Sequence, residues 1–258
     1  MTIQVIDRAV RIIRAVAQCG PVSLTSISRK VELPLPTVAR IVSCLTDNGI
    51  LQGLEDRKYH LGVRLLPLAS PLEPFRKLLQ VAHPYIEQLA EDTCADCGLA
   101  VLQGNEAVVV DWCYGPQPPR IIEPFARDIP LHCAFGVVLV AFQPAQWRQR
   151  FLRTTKLERV TSGTVQDLDH LTKRIENIRR TGLYISVAEN IEGAASLAVP
   201  VFDEVSRLLG ALFVTAPLDR FSEHHIARYK SAVVRTGNSL TADIRGRGIR
   251  RAETARLL

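Results

Sequence analysis

The sequence predicts an α+β protein with an N-terminal winged helix-turn-helix, a linker helix, and a C-terminal antiparallel sheet covered by helices. Three observations carry this. Residues 22–61 run helix, tight break, helix and two short strands. From Gly98 onward, apolar alternation flanks turn signals, as in hairpins. Those strand pairs then alternate with amphipathic helical stretches, the pattern of a sheet with helices laid on it.

Taken in order, residues 3–18 form a first helix, with Ile6, Ala9, Val10, Ile13, Val16 and Ala17 at three- and four-residue steps. Cys19-Gly20-Pro21 ends it. Ser23 is placed to cap a second helix carrying Leu24, Ile27 and Val31. A break at Leu33-Pro34-Leu35-Pro36 precedes a third, with Val38, Ile41, Val42 and Leu45 on its apolar face. Gly49 stands just past its end, where a left-handed residue is favoured. Ile50-Leu51 and Lys58–Leu61 are the wing strands, with residues 54–57 at their tip. Pro67, Pro71 and Pro74 mark a linker, and a helix from Pro74 to Cys94 places Leu78, Val81, Ala82, Tyr85, Ile86 and Leu89 on one stripe. Strands are expected at 99–102, 107–110, 121–125, 184–187, 194–202 and 208–216. Helices are expected at 134–143, 146–153, 165–181 and 224–246. The expected domains are 1–68, a linker and linker helix over 69–94, and 95–258.

Charge is uneven. The net charge is +6, but residues 1–68 hold nine Lys/Arg against five Asp/Glu, and residues 242–258 hold five Arg against two acids. The long middle is nearly neutral. Basic charge gathered on one domain is the footprint expected for a nucleic-acid partner. No apolar run approaches the ~20 residues that span a bilayer. No secretory signal is evident, and six cysteines without framework spacing fit reduced thiols, so a cytoplasmic protein without a membrane partner is expected.

In a helix-turn-helix the second helix enters the major groove. Thr37, Ala39, Arg40 and Ser43 lie on or near its outward face. Arg40 can fork to guanine O6 and N7, or touch only phosphate. Arg57 and Lys58 at the wing tip suit phosphate or minor-groove contact, and Arg29 and Lys30 suit the backbone beside the groove.

Several stretches resemble, in order and spacing, the IclR family of bacterial transcriptional regulators. In the N-terminal part these are Asp7–Ile13, Leu33-Pro34 before Thr37, Val38 and Arg40, Asn48–Leu51, and Tyr59–Gly62 with Arg64 and Leu65. Further on they are Ile129–His132, Ala134–Gly136, Leu139–Phe142, Arg180 with Gly182 and Leu183, Glu189, Gly193 and Ala198–Val201. The resemblance closes with Gly210–Leu212, Val214–Pro217 and Arg220–Glu223. It implies a GAF-like effector domain, a homodimer or dimer of dimers on a double-stranded DNA operator, and a small-molecule effector, with no cofactor. It also implies that the 74–94 helix joins the domains and helps form the dimer; packing on its own domain is the alternative.

Carried over position by position, the resemblance puts the effector site at Phe135, Gly136, Ser186, Glu189, Ser196, Phe213 and Thr215. Gly136 would let a ligand approach the N–H groups at the start of its helix. This chain departs from the family's small-acid binders. Ser186 stands for an acidic residue, Ser196 for Cys, Phe213 for Ser, and Phe135 for a small residue. The expected effector is therefore an apolar or aromatic organic acid, or the pocket is occluded; core packing is the other role open to both Phe residues. Leu35 and Pro36 likewise stand at DNA-binding positions where the family commonly has Lys and Ser.

Two rival functions compete with this reading. An enzyme using His132, Glu189 and Asp203 has no nucleophile elbow, phosphate loop or His-Glu-x-x-His stretch behind it, and His132 is expected to be a satisfied structural histidine. A redox- or metal-responsive regulator would use Cys94 and Cys97, with Cys113, Cys133, His83, Asp96 or His132 as possible companions.

Overall fold

The computed structural model describes residues 3–123 and 131–250. The chain divides into two units, Met1–Glu73 and Pro74–Leu258.

In the first unit, α1 (Gln4–Cys19), α2 (Leu24–Val31) and α3 (Leu35–Asp47) pack beside a three-stranded sheet. That sheet has β3 (Lys58–Leu61) between β1 (Val22–Ser23) and β2 (Leu51–Gly53). Ser23 caps α2 as expected, its Oγ accepting from Ser26 N–H. Ser23 also pairs with Lys58 in a strand too short for its sequence to announce. Val38 and Val42 bury the inner face of α3, with Ile41 and Leu45 packed on the same core. Gly49 takes φ +69°. There its N–H bonds Thr46 O and the N–H of Ile50 bonds Leu45 O, the paired closure of a Schellman cap.

One expectation for this unit is corrected. On α1 the buried residues are Ile12, Ala15 and Val16, whereas Ile6 and Val10 are exposed. The helix carries two apolar stripes, and only one meets α2 and α3. The residues expected as a linker carry α4 (Leu65–Ala69) and a 3₁₀ turn (Ser70–Leu72). Pro67 is tolerated in the first turn of α4, where its missing N–H would have no partner.

In the second unit, α5 (Glu73–Thr93) precedes β4 (Asp96–Gln103) and β5 (Glu106–Cys113). Then come α6 (Ala134–Ala141), α7 (Ala145–Thr154), α8 (Leu168–Thr181), β6 (Tyr184–Val187), β7 (Ala194–Phe202), β8 (Leu208–Pro217) and α9 (Glu223–Gly246). The sheet order is β5-β4-β8-β7-β6, with every neighbouring pair antiparallel. Helices cover both faces. On one, Leu78, Ala82, Ile86 and Leu89 of α5 and Tyr229, Val233 and Leu240 of α9 meet Leu197, Leu212 and Val214. On the other, α6, buried at every position, packs with Leu171, Ile175 and Ile178 of α8 over Ala198, Ala211 and Phe213. Helix α5 thus packs on its own unit's sheet.

Residues 121–123 form no strand, and 124–125 of the same expected strand lie outside the described residues. Helix α8 begins at Leu168 rather than 165 because the Asp167 carboxylate accepts from the N–H groups of Asp169 and His170. The described part of the Arg-rich tail folds back. Arg245 donates to Asp203 O and Ser206 Oγ, Arg247 pairs with Asp243, and Arg250 pairs with Glu204.

Candidate DNA-reading helix and effector cavity

The outward face of α3 carries Leu35, Pro36, Arg40 and Ser43, all exposed, with Thr37 and Ala39 half-buried at its edges. Arg29 is exposed in the last turn of α2. Lys30 reaches Cys19 Sγ at 3.3 Å. At the wing tip, Arg57 is exposed with φ +58°. Lys58 is not a free cation: its Nζ lies 2.6 Å from Asp56 Oδ2. That hydrogen bond holds the Asp56 carboxyl below the usual carboxylate range. Of the two wing-tip cations, Lys58 thus has part of its charge offset within the wing.

The second unit holds a cavity of about 380 Å³. Its floor is a row of hydroxyls laid across three strands by register. Ser186 of β6 is opposite Ser196 of β7, which is opposite Thr215 of β8. Ser196 Oγ and Thr215 Oγ1 are 2.8 Å apart. The row continues to Asp96 of β4. Its carboxylate accepts from Gly115 N–H at 2.9 Å and Ile121 N–H at 2.7 Å, which ties down the segment bringing Ile121, Ile122 and Glu123 to the cavity wall. One end of the cavity meets the start of α6 at Cys133, Ala134 and Phe135. The N-cap Cys133 makes no side-chain hydrogen bond to the helix, and the first intrahelical bond there runs from Val137 N–H. The earlier N–H groups are oriented for an anion. The Phe135 ring packs on Phe213, centroids 4.5 Å apart. Phe213 in turn lies over Gly98, its cross-strand partner, where a Cβ would stand 2.8 Å from the ring.

Six of the seven expected effector residues line this cavity: Phe135, Ser186, Glu189, Ser196, Phe213 and Thr215. Gly136 does not. It is buried one step further into α6, and the part of the helix that borders the cavity is Cys133–Phe135. Glu189 faces the cavity with its carboxylate already engaged, by Arg174 Nη1 at 2.8 Å and by Tyr184 Oη at 2.8 Å. Burial, reinforced by that carboxylate, pushes the Tyr184 hydroxyl up, so it remains a donor. The loop bearing Glu189 is pinned from behind by the Thr161 and Thr164 hydroxyls, both donating to Glu189 O. Sequence reasoning missed Val109, Ile121, Ile122, Asn190, Ile191 and Ala194, which are apolar or loop residues without a motif.

His132 is buried, but not satisfied: its Nε2 has no hydrogen-bond partner among the described residues. Burial lowers its pKa, which keeps the ring neutral. The cysteine pair is split. Cys94 is exposed at φ +53°, while Cys97 is buried, its thiol pushed far up by burial and hence poorly reactive. Of the possible companions, His83 pairs with Asp111 and Asp96 holds backbone N–H groups. Among the described residues no three His, Cys, Asp or Glu side chains gather as a metal site.

Residues 5–55 match the IclR helix-turn-helix domain, and residues 75–242 match the family described as bacterial transcriptional regulator IclR C-terminal. A Cupriavidus necator protein named "Probable transcriptional regulator SauR" is 31% identical over 219 residues, covering 83% of this chain and 86% of that one. The Thermotoga maritima IclR crystal structure shares the fold with TM-score 0.73 at 21% identity, covering 94% of this chain and 99% of that one. An IclR homolog from Microbacterium hydrocarbonoxydans, solved in complex with 4-hydroxybenzoate, aligns with TM-score 0.67 at 27% identity over 92% and 99% of the two chains. With both of its units matched, this chain belongs to the IclR family of bacterial transcriptional regulators.

Proposed function

We propose that this regulator binds a specific DNA operator in the cytoplasm and that an apolar or aromatic organic acid in the second unit sets its operator affinity. The cavity carries this reading. A hydroxyl row, the start of α6 and a tilted Phe pair bound one space, offering hydrogen bonds and helix N–H groups to a carboxylate and an apolar wall to its ring. Volumes of about 300–1,000 Å³ are usual for small-molecule sites. The homolog complexed with 4-hydroxybenzoate supports an aromatic acid. A thiol trigger at Cys94 and Cys97 is less favoured, because one thiol is exposed and the other buried and inert.

The protein acts as a homodimer or dimer of dimers on a two-fold operator. The first unit supports this through its uncovered apolar residues: Ile3, Val5, Ile6 and Val10 around α1, and Val63, Leu66, Leu68 and Leu72 around α4. Exposed apolar patches mark interaction sites, and these residues offer them on two segments of the unit. The effector works by binding the DNA-competent and incompetent states unequally. Helix α5, packed on the sheet that floors the cavity, is the element placed to respond.

Fluorescence anisotropy with the DNA upstream of the protein's own gene, against scrambled DNA, tests the first half. Titrating 4-hydroxybenzoate, benzoate and two- to three-carbon acids into that complex tests the second. Equal, weak binding to both duplexes would remove the operator assignment. A response to short aliphatic acids alone would remove the aromatic one.

A further inference from the structure

We infer that the leading end of α3 reads thymine methyl groups: Leu35 contacts the 5-methyl of a thymine in the same half-site as the guanine engaged by Arg40. The inference rests on α3 being the helix that enters the major groove. It goes beyond that by assigning a base to a residue with no hydrogen-bonding side chain.

In this motif the N-terminal residues of the second helix face base edges. Here that end is apolar. Leu35 is 44% exposed, a large aliphatic side chain held in water by the free protein. Pro36 beside it is exposed and has no N–H. The next two donors are already used, Thr37 N–H and Val38 N–H both bonding Pro34 O. Pro34, at the cap, supplies no side-chain bond. The tip therefore retains little capacity to donate to phosphate, and Ala39 extends its apolar surface along the same face.

In the major groove only thymine offers an apolar group, its C5 methyl; every other edge presents donors or acceptors. An exposed leucine opposite any other base would cover polar atoms without replacing their water. Arg40, the one cation of α3, supplies the complementary polar reading from further round the helix.

Operators can be obtained by selecting random duplexes with the full-length protein. The enriched duplex is then resynthesised with deoxyuridine at one thymidine at a time, removing only the methyl. Affinity is read by fluorescence anisotropy for the native protein and for Leu35→Ala. At one thymine per half-site, deoxyuridine should weaken native binding about fourfold, the effect of losing one buried methyl. Leu35→Ala should bind the two duplexes equally. That thymine should lie in the same half-site as the guanine whose replacement Arg40→Ala no longer senses. Indifference to deoxyuridine at every thymine, or full methyl sensitivity retained by Leu35→Ala, overturns the inference while leaving operator binding intact. Failure to enrich any motif overturns both together. Leu35 is exposed, so its truncation leaves the helix packing unchanged; Leu35→Met, which keeps an apolar side chain, should restore most of the methyl dependence.

Discussion

Gly98 makes no contact with the cavity, yet its missing side chain decides how much of the cavity there is. Phe213 lies in the space a Cβ would fill, and Asp111 O is equally close on the other strand. Gly98→Ala should push the Phe213 ring toward the ligand and strain β4. A loss of about tenfold in aromatic-acid affinity and about 1–3 kcal/mol in stability is expected, read by calorimetric titration and chemical denaturation. On the DNA side, Arg57 and Lys58 look alike in sequence, but only Lys58 is paired within the wing. Arg57→Ala should flatten the dependence of binding on salt more than Lys58→Ala does; the reverse order would mean that the Asp56 pair opens on DNA. Arg40→Ala should cost about 1–3 kcal/mol of preference for operator over scrambled DNA. His132 gives a pH signature. Its folded-state pKa lies below the ordinary 6.5, so the unfolded chain takes up the proton first. The stability present above 6.5 is lost as pH falls through that value and on toward the folded-state pKa. Melting temperature should therefore drop on acidification, and His132→Gln should reduce the slope.

At the scale of elements, the cavity is a product of register. Ser186, Ser196 and Thr215 meet because three antiparallel strands align them, and Asp96 at the end of the same row secures the wall above them. Asp96→Asn replaces a charged acceptor of three backbone N–H groups with a neutral amide that must turn one donor inward. Hydrogen exchange at Gly115, Ile121 and Ile122 should quicken, with a smaller loss of ligand affinity. Unchanged exchange would show that the segment is held by other contacts. The elements themselves were largely legible. Strands β6 and β7 fall where alternation and flanking turns place them, and α3 ends where Gly49 ends it. What failed was choice among equals. On α1 two apolar stripes have similar spacing, and local periodicity cannot say which one meets a neighbour.

For the whole molecule, the proposed coupling is a difference in effector affinity between two states. A coupling free energy of about 1–3 kcal/mol changes operator affinity about 5- to 150-fold. By reciprocity, operator DNA should change effector affinity by the same factor, which calorimetry with and without the duplex can check. The exposed apolar residues of the first unit supply the prediction for assembly. Ile6→Glu together with Leu66→Glu should shift sedimentation toward the monomer and weaken operator binding. A variant that keeps its oligomeric state would place the contact elsewhere.

The sequence by itself determined the order and type of most elements, the basic first unit, and, through resemblance, six of the residues around the cavity. These follow from side-chain spacing, caps and turn residues, all of which act over a few positions. Only the tertiary structure decided that Glu189 is already paired with Arg174, that Lys58 is tied to Asp56, that Gly136 does not line the cavity, and that Gly98 makes room for Phe213. Strand register, side-chain rotamers and helix placement set those pairings. They are fixed by packing across the whole unit, so partners distant in the chain become neighbours without any local pattern to announce them.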